Sequence, residues 1–172
     1  DNLKNSVDFI YLALHGNHAE DGCIQGMLDM LCIPYSGSSM ESSAIAMSKY
    51  MQGKILYNHG IKTPETYVIY NPQKEYSKAC EYAQKIKYPL IVKPCHEGSS
   101  LGVSLVNDET ELLSALEKAY TVNDNHTQNV LMQKKLEGME FSCVVLQKNG
   151  AWKALEVTEI VGKNKDYIFI EE

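Results

Sequence analysis

The 172-residue chain has no apolar run of membrane-spanning length and no excess of positive charge. A helix that crosses a bilayer needs about 20 consecutive apolar residues. The first residues, DNLKNSVDFIYLAL, place acids and amides where a signal peptide would carry basic residues. Sixteen basic side chains against 22 acidic ones give a net charge of −6. We therefore predict a soluble, acidic, cytoplasmic protein of one domain or two small ones, with neither nucleic acid nor membrane as a partner.

The chain also lacks paired cysteines. Its five cysteines are scattered and odd in number, and none belongs to a Cys-x-x-Cys pair, which predicts reduced thiols. His15 and His18, with Cys23 nearby, form one half of a metal-binding pattern. A structural zinc site usually needs a second ligand pair at a set spacing, and that pair is missing. We therefore predict no metal site in this chain.

The first part of the sequence has the pattern of a strand–helix–strand crossover unit. Residues 7–16 are a nearly continuous apolar run, which predicts a buried parallel strand. Apolar residues at helical spacing follow over residues 24–31, and residues 32–37 are a short strand candidate. Ligands of open α/β sheets gather at the carboxyl ends of the strands, where His15 and residues 36–39 fall.

The organisation changes near residues 42–49, after which helices alternate with paired strands. A helix is predicted over residues 42–60, with Ser42 or Ser43 as its cap and Gly60 as its stop. A capping-box pattern predicts a helix over residues 107–123, with Leu112, Leu113 and Leu116 facing the core. The other predicted elements are an extended segment after Pro64, a helix over 71–86, and strands over 88–94, 101–106 and 129–138. Residues 140–161 are predicted to form two strands joined at Asn149-Gly150.

A short loop of glycine and serine, residues 98–102, follows a strand that ends in Lys93. Small residues let backbone N–H groups approach anionic oxygens closely, and a lysine adds fixed charge, so this pattern is typical of phosphate binding. The spacing differs from that of the Walker loop, and the flanking strands differ from a Rossmann fingerprint. Taken alone, the loop could equally be a hairpin turn. Lys93 favours the first interpretation, because an unpaired charge at the end of an apolar strand is costly to bury.

Five further residues occupy positions where they could contribute to a ligand site. Three have a plainer alternative: a solvated helix lysine for Lys49, a turn acid for Glu140 and a structural histidine for His15. Lys49 lies on a helix and could bind phosphate or face solvent. Glu140 follows a turn and could accept from sugar hydroxyls. Gln133 and Lys134 end an apolar strand, where an adenine could meet the backbone. His15 ends the first predicted strand and could be a structural histidine.

In this order and spacing, the motifs resemble the D-alanine–D-alanine ligase family of ATP-grasp enzymes. The motifs are HGNHAEDGCIQG, PYSGSS, VKPCHEGSSLG and LEGMEFSCVV, and the resemblance runs from about residue 7 to about residue 161. It implies an α/β ATP-grasp fold. Residues 1–45 would be part of an N-terminal open parallel α/β domain that binds substrate, residues 46–141 the small ATP-grasp lobe with an antiparallel sheet and helices, and residues 142–172 the start of the C-terminal lobe.

The resemblance also implies an activity and a role for each matching residue. Such enzymes use ATP to phosphorylate one D-alanine, and the amine of a second D-alanine then displaces phosphate, giving D-alanyl-D-alanine for peptidoglycan synthesis. The implied catalytic residues are Ser99 and His15. The implied nucleotide contacts are Lys49, Lys93, Gly98, Ser100, Gly102, Gln133, Lys134, Leu136 and Glu140.

Some features depart from the family pattern. Ala19 and Gln133 stand where the family usually has Gly and Glu, and Ser48 replaces a commonly acidic residue. The family's first strand, its mobile loop and its Mg²⁺ ligands have no match in the chain, which predicts an inactive fragment without the metal site. Homodimerisation is implied for the complete enzyme. Alternatives are a ligase for D-lactate or another amine or carboxylate, a non-catalytic nucleotide-binding module, and a purely structural domain.

Overall fold

The computed structural model describes residues 3–122 and 127–161. The end of the predicted helix over 107–123 and residues 162–172 of the third predicted domain lie outside the described residues. The proposed domain limits at 45/46 and 141/142 stay a prediction. The elements in chain order are α1 (Cys23–Met30), α2 (Met40–Met47), α3 (Lys49–Asn58), β1 (Thr66–Ile69), α4 (Tyr76–Ile86), β2 (Leu90–Pro94), β3 (Ser104–Val106), α5 (Glu109–Tyr120), β4 (Val130–Lys134), β5 (Glu140–Lys148) and β6 (Ala151–Ile160).

Strands β1 to β4 form one antiparallel sheet in the order β1-β4-β2-β3. Side chains alternate between the two faces of a strand, so in β2 Leu90 and Val92 are buried while Ile91 and Lys93 point to the opposite face. The buried face packs against α4 and α5 to form the core. Its fully buried members include Ile69, Ala79, Leu90, Val92, Val106, Leu112, Leu116, Ala119, Val130 and Met132.

Two predictions that rest on local sequence signals are confirmed, the β2–β3 hairpin and the start of α5. Strands β2 and β3 form the predicted hairpin around the loop. At the start of α5, Asp108 accepts from the backbone N–H of Thr110 at 2.9 Å, and Glu111 reaches back to the N–H of Asn107 at 2.8 Å. Leu113, however, is 37% exposed, so the expectation that it faces the core is wrong. It lies one position beyond Leu112, and a step of one residue turns a helix face by about 100°.

The single helix predicted over residues 42–60 is in fact two helices, α2 and α3, which meet at Ser48. Ser48 has an extended backbone (φ −77°, ψ 98°), and its hydroxyl accepts from the N–H of Met51. The N–H of Lys49 bonds the carbonyl of Cys95 at 3.0 Å instead of continuing α2. Ser39, rather than Ser42 or Ser43, caps α2. Gly60, with φ +78°, ends α3 as predicted.

The apolar run over residues 7–16 is not the buried strand that the sequence predicts. Among the described residues it makes a single parallel bridge, between Ile10 and Tyr35, and Phe9, Tyr11 and Leu14 are exposed. A parallel strand is buried only when neighbouring strands pair along its length and other elements cover both faces. The described chain supplies one bridge on one side, with α1 between the two paired residues, so the crossover connection is present without a continuous strand.

The long hairpin of β5 and β6 forms a second, two-stranded sheet. Its turn is the predicted Asn149-Gly150, and both residues have positive φ, as a tight hairpin turn requires. Nearly every residue of both strands is exposed. Among the described residues, no helix is long and apolar enough to cross a membrane.

Candidate functional site

One face of the four-stranded sheet packs on the core, and the opposite face borders a cavity of about 610 Å³. Thr66, Gln133 and Ile91 pair across β1, β4 and β2, so they share this second face, and alternation along β2 adds Lys93 to it. Helix α3 and residues 63–66 complete the wall. The volume lies within the range of about 300–1,000 Å³ that small-molecule and cofactor sites usually have.

Two lysines from different elements line this cavity. Lys49 is the first residue of α3, and Lys93 lies in β2. Burial lowers the pKa of Lys93, and the positive charge of Lys49 lowers it further. Burial also lowers the pKa of Lys49, although Cys95 and Glu97 partly oppose this. Among the described residues neither ammonium group has a carboxylate within salt-bridge distance. Two desolvated cations in one cavity favour an anionic ligand.

The glycine–serine loop is a tight turn with a strained backbone. Ser99 and Ser100 both have positive φ, and the N–H of Leu101 bonds the carbonyl of Gly98 at 3.0 Å. Gly102 also has positive φ (+70°), and a Cβ there would lie 3.0 Å from a methyl of Val122. The loop is therefore a hairpin turn, as the plainer interpretation held, and three of its five residues have a left-handed backbone.

A buried carboxylate anchors this loop, and sequence reasoning missed it. Glu97 is only 8% exposed, and its oxygens accept from Gln128 Nε2 at 2.9 Å and from Asn17 Nδ2 at 3.3 Å. Its backbone carbonyl accepts from the ammonium group of Lys49. Four segments that are distant in sequence therefore meet at Glu97. The one local signal was an acid directly before a glycine–serine loop, and nothing nearby in the sequence indicated its partners.

The predicted substrate histidine lies in an exposed loop before α1. The side chain of His15 is 90% exposed, and its Nδ1 lies 4.0 Å from Glu20, which also accepts from the N–H of Gly16 at 2.8 Å. Further along, metal-ligating atoms of His18, Asp21 and Cys23 lie within 4.8 Å of one another. Burial would raise the pKa of Asp21, but hydrogen bonds from the N–H groups of Cys23 and His18 outweigh it and lower that pKa. The Asp21 carboxylate therefore stabilises the conformation of this loop through two backbone hydrogen bonds.

The other predicted residues lie at the exit from β4. Gln133 lines the cavity, while Lys134, the last residue of β4, is exposed and donates its backbone N–H to the carbonyl of Glu65 at 3.2 Å. Leu136 is 66% exposed, and Glu140 is the exposed first residue of β5. The cavity thus brings together Lys49, Lys93 and Gln133, whereas His15, the loop residues 98–102, Lys134, Leu136 and Glu140 lie outside its lining.

Solved structures with this architecture identify the class of protein. The chain is similar to the crystal structure of D-alanine–D-alanine ligase from Bacillus anthracis complexed with ATP, with 34% identity and a TM-score of 0.76 over 99% of this chain and 55% of that one. It is also similar to the VanG D-Ala:D-Ser ligase from Enterococcus faecalis, with 30% identity and a TM-score of 0.79 over 89% of this chain and 43% of that one. The fold is therefore that of an ATP-grasp protein.

Sequence comparison identifies the family. The family model for the D-ala D-ala ligase C-terminus matches residues 55–172, and the model for the N-terminus matches residues 1–38. The chain belongs to the D-alanine–D-alanine ligase family. It is 39% identical over 166 residues to the D-alanine–D-alanine ligase of Desulfotalea psychrophila. The aligned region covers 96% of this chain and 49% of that protein. The chain thus spans about half the length of the curated relatives it matches.

Proposed function

We propose that the full-length protein is an ATP-dependent ligase that joins two D-alanine molecules to give D-alanyl-D-alanine for peptidoglycan synthesis in the cytoplasm. The observation that carries the proposal is the pair of half-buried lysines, Lys49 and Lys93, in one cavity of a chain that belongs to this family. Fixed cations in a desolvated site stabilise the charge that moves from a nucleotide to a carboxylate far better than cations in water do. We extend the proposal to a homodimer, which sedimentation of the full-length protein tests.

In this proposal ATP binds in the cavity, and the predicted residues that lie outside its lining contact the nucleotide from the cavity's edge. Lys49 and Lys93 would bind its phosphates, and Gln133 with the backbone near Lys134 and Leu136 would contact the base. The hydroxyls of Ser99 and Ser100, with the small residues Gly98 and Gly102, would cover the phosphates, and Glu140 would accept from the ribose. His15 would lie near the first amino acid, in the exposed loop before α1.

The Mg²⁺ ions that the resemblance implies do not fit the described residues. Among these, the metal-ligand group that lies within reach of a single ion is His18, Asp21 and Cys23. Mg²⁺ takes oxygen ligands in octahedral geometry, whereas a thiol and an imidazole suit softer ions. We therefore assign magnesium no role among these side chains.

Nucleotide binding can be tested with the full-length protein, in parallel with the 172-residue chain. Thermal unfolding is measured with and without ATP for the parent, for Lys93→Ala and for the control Lys74→Ala, which removes an exposed lysine. ATP at a hundred times its dissociation constant should stabilise the fold by about 2.7 kcal/mol. Lys93→Ala should lose most of this stabilisation, and Lys74→Ala should keep it. Equal stabilisation in all three proteins would contradict the assignment of the cavity.

The identity of the second amino acid forms a second candidate function. The similarity to the VanG D-Ala:D-Ser ligase favours D-serine as an alternative. Phosphate release by the full-length enzyme with D-alanine alone, and then with D-alanine plus D-serine or D-lactate, separates these options. A product formed only in the mixed reactions would contradict ligation of two D-alanines.

A further inference from the structure

A short chain of hydrogen bonds lines the cavity between β1 and β4. Thr66 and Gln133 are direct partners in the sheet register. Gln133 Nε2 donates to Thr66 Oγ1 at 2.7 Å, and Thr66 Oγ1 donates to the backbone carbonyl of Pro64 at 2.9 Å. All three residues line the cavity, together with Lys93. We call these two hydrogen bonds the Thr66 relay.

The relay fixes the orientation of the Gln133 side-chain amide, that is, which end carries Nε2 and which carries Oε1. A threonine hydroxyl has one proton, and a backbone carbonyl can only accept. Because the hydroxyl lies 2.9 Å from the carbonyl of Pro64, its proton is committed to that contact. The hydroxyl oxygen can therefore only accept from Gln133, so the side that faces Thr66 must be the NH₂ group. The carbonyl oxygen Oε1 is then the end left for a ligand, and no partner for it occurs among the described residues.

A glutamine that is locked in this way offers a hydrogen-bond acceptor to the cavity. A purine with an exocyclic amino group at C6 can donate to it, whereas a 6-oxo purine presents an oxygen to another oxygen. We propose that the Thr66 relay makes Gln133 a selector for 6-amino purine nucleotides against 6-oxo purine nucleotides, with Thr66 as the positioning residue. This inference rests on the proposed binding of ATP in the same cavity.

Thr66→Val is the direct perturbation, because valine has nearly the same shape and cannot accept a hydrogen bond. The amide of Gln133 is then free to turn over and offer its NH₂ group to a 6-oxo purine. Thr66→Ser keeps the hydroxyl and hence the relay. In a Gln133→Glu background the side chain has only acceptors, so Thr66→Val should no longer change the selectivity.

The experiment measures the dissociation constants of ATP and ITP for the full-length protein by titration calorimetry. The two nucleotides differ in the group at C6, so their ratio reports on the acceptor. Facing two acceptors across a half-buried contact should weaken ITP binding by about ten-fold or more in the parent. Thr66→Val should bring the ratio within about two-fold of one, chiefly through tighter ITP binding. Thr66→Ser should retain the parent ratio.

The outcomes separate the two proposals. Two outcomes overturn the relay while the proposed function stands. In one, the protein binds ATP and Thr66→Val leaves the ratio of the ITP and ATP dissociation constants unchanged. In the other, the parent binds ATP and ITP equally well. A parent that binds neither nucleotide overturns both proposals. Thr66→Ala provides a second variant without an acceptor if the valine variant does not fold. A change of ratio in Thr66→Val that persists in the Gln133→Glu background also counts against the relay, since a carboxylate does not need orienting.

Discussion

Removing the Glu97 carboxylate should lower the free energy of unfolding and also weaken ATP binding in the cavity. In Glu97→Ala, the side-chain amides of Gln128 and Asn17 lose the acceptor that they reach at 2.9 and 3.3 Å. A hydrogen bond to a charged group contributes about 1.5–3 kcal/mol. The bond from Gln128 has good geometry and the one from Asn17 is long, so we expect a total loss of about 2–4 kcal/mol in the free energy of unfolding.

The electrostatic consequence has a definite sign. The charge of Glu97 raises the pKa of Lys49, against the larger effect of burial. Without it the pKa of Lys49 falls further, so less of the ammonium form is present at alkaline pH and ATP binding weakens there first. Glu97→Gln keeps one acceptor and removes the charge. We therefore expect a loss of about 1–2 kcal/mol in its free energy of unfolding, with the same shift in the pH dependence of binding.

Urea unfolding of the full-length protein measures the first effect, and ATP titration at several pH values measures the second. Glu81→Ala, which removes an exposed glutamate of α4, is the matched control and should change stability by less than about 0.5 kcal/mol. If the free energy of unfolding of Glu97→Ala also lies within about 0.5 kcal/mol of the parent value, the hydrogen bonds to Glu97 make no net contribution to stability. The account of the loop anchor is then wrong.

Three further changes test other parts of the structure, each followed by urea unfolding or ATP titration. Ser48→Ala removes the cap between α2 and α3 and should cost about 1 kcal/mol; an unchanged midpoint would mean that the break does not depend on the hydroxyl. Gly102→Ala should cost about 1–3 kcal/mol, because φ is +70° and the new Cβ would lie 3.0 Å from a valine methyl, whereas Gly98→Ala, which meets nothing within 4 Å, should be close to neutral. ATP affinity should fall as pH rises through the lowered pKa of Lys93, at a lower pH than an ordinary lysine would give, and Lys93→Ala should remove this contribution and leave only the pH dependence that Lys49 causes.

The elements that the sequence predicts correctly are those whose signals are local. The hairpin of β2 and β3 follows from two apolar runs around a glycine–serine loop, and the start of α5 follows from Asp108 with Glu111 three residues later. The turn at Asn149-Gly150 needs positive φ at both positions, which these two residue types supply readily. In each case the residues that determine the structure lie within a few positions of it.

The elements that the sequence predicts wrongly depend on distant residues. The break at Ser48 forms where the N–H of Lys49 bonds the carbonyl of Cys95, 46 residues further along, and the helical pattern through residues 42–60 contains no sign of that partner. The exposure of residues 7–16 depends on which strands are present to pair with them. For the site, Lys49, Lys93 and Gln133 were predicted individually, but their common cavity follows from sheet register and from the placement of α3.

The two parts of the site that sequence reasoning treated separately are joined through Glu97. Asn17 lies two residues after His15, in the loop expected to hold the first amino acid, and its side chain donates to the Glu97 carboxylate. The backbone carbonyl of Glu97 accepts a hydrogen bond from the ammonium group of Lys49 at the cavity, and the glycine–serine loop begins at the next residue, Gly98. Because the glutamate is buried, a displacement of any one of these groups must be accommodated by the others. The anchor therefore gives a physical reason for the loop, the lysine and the His15 segment to keep a fixed mutual position.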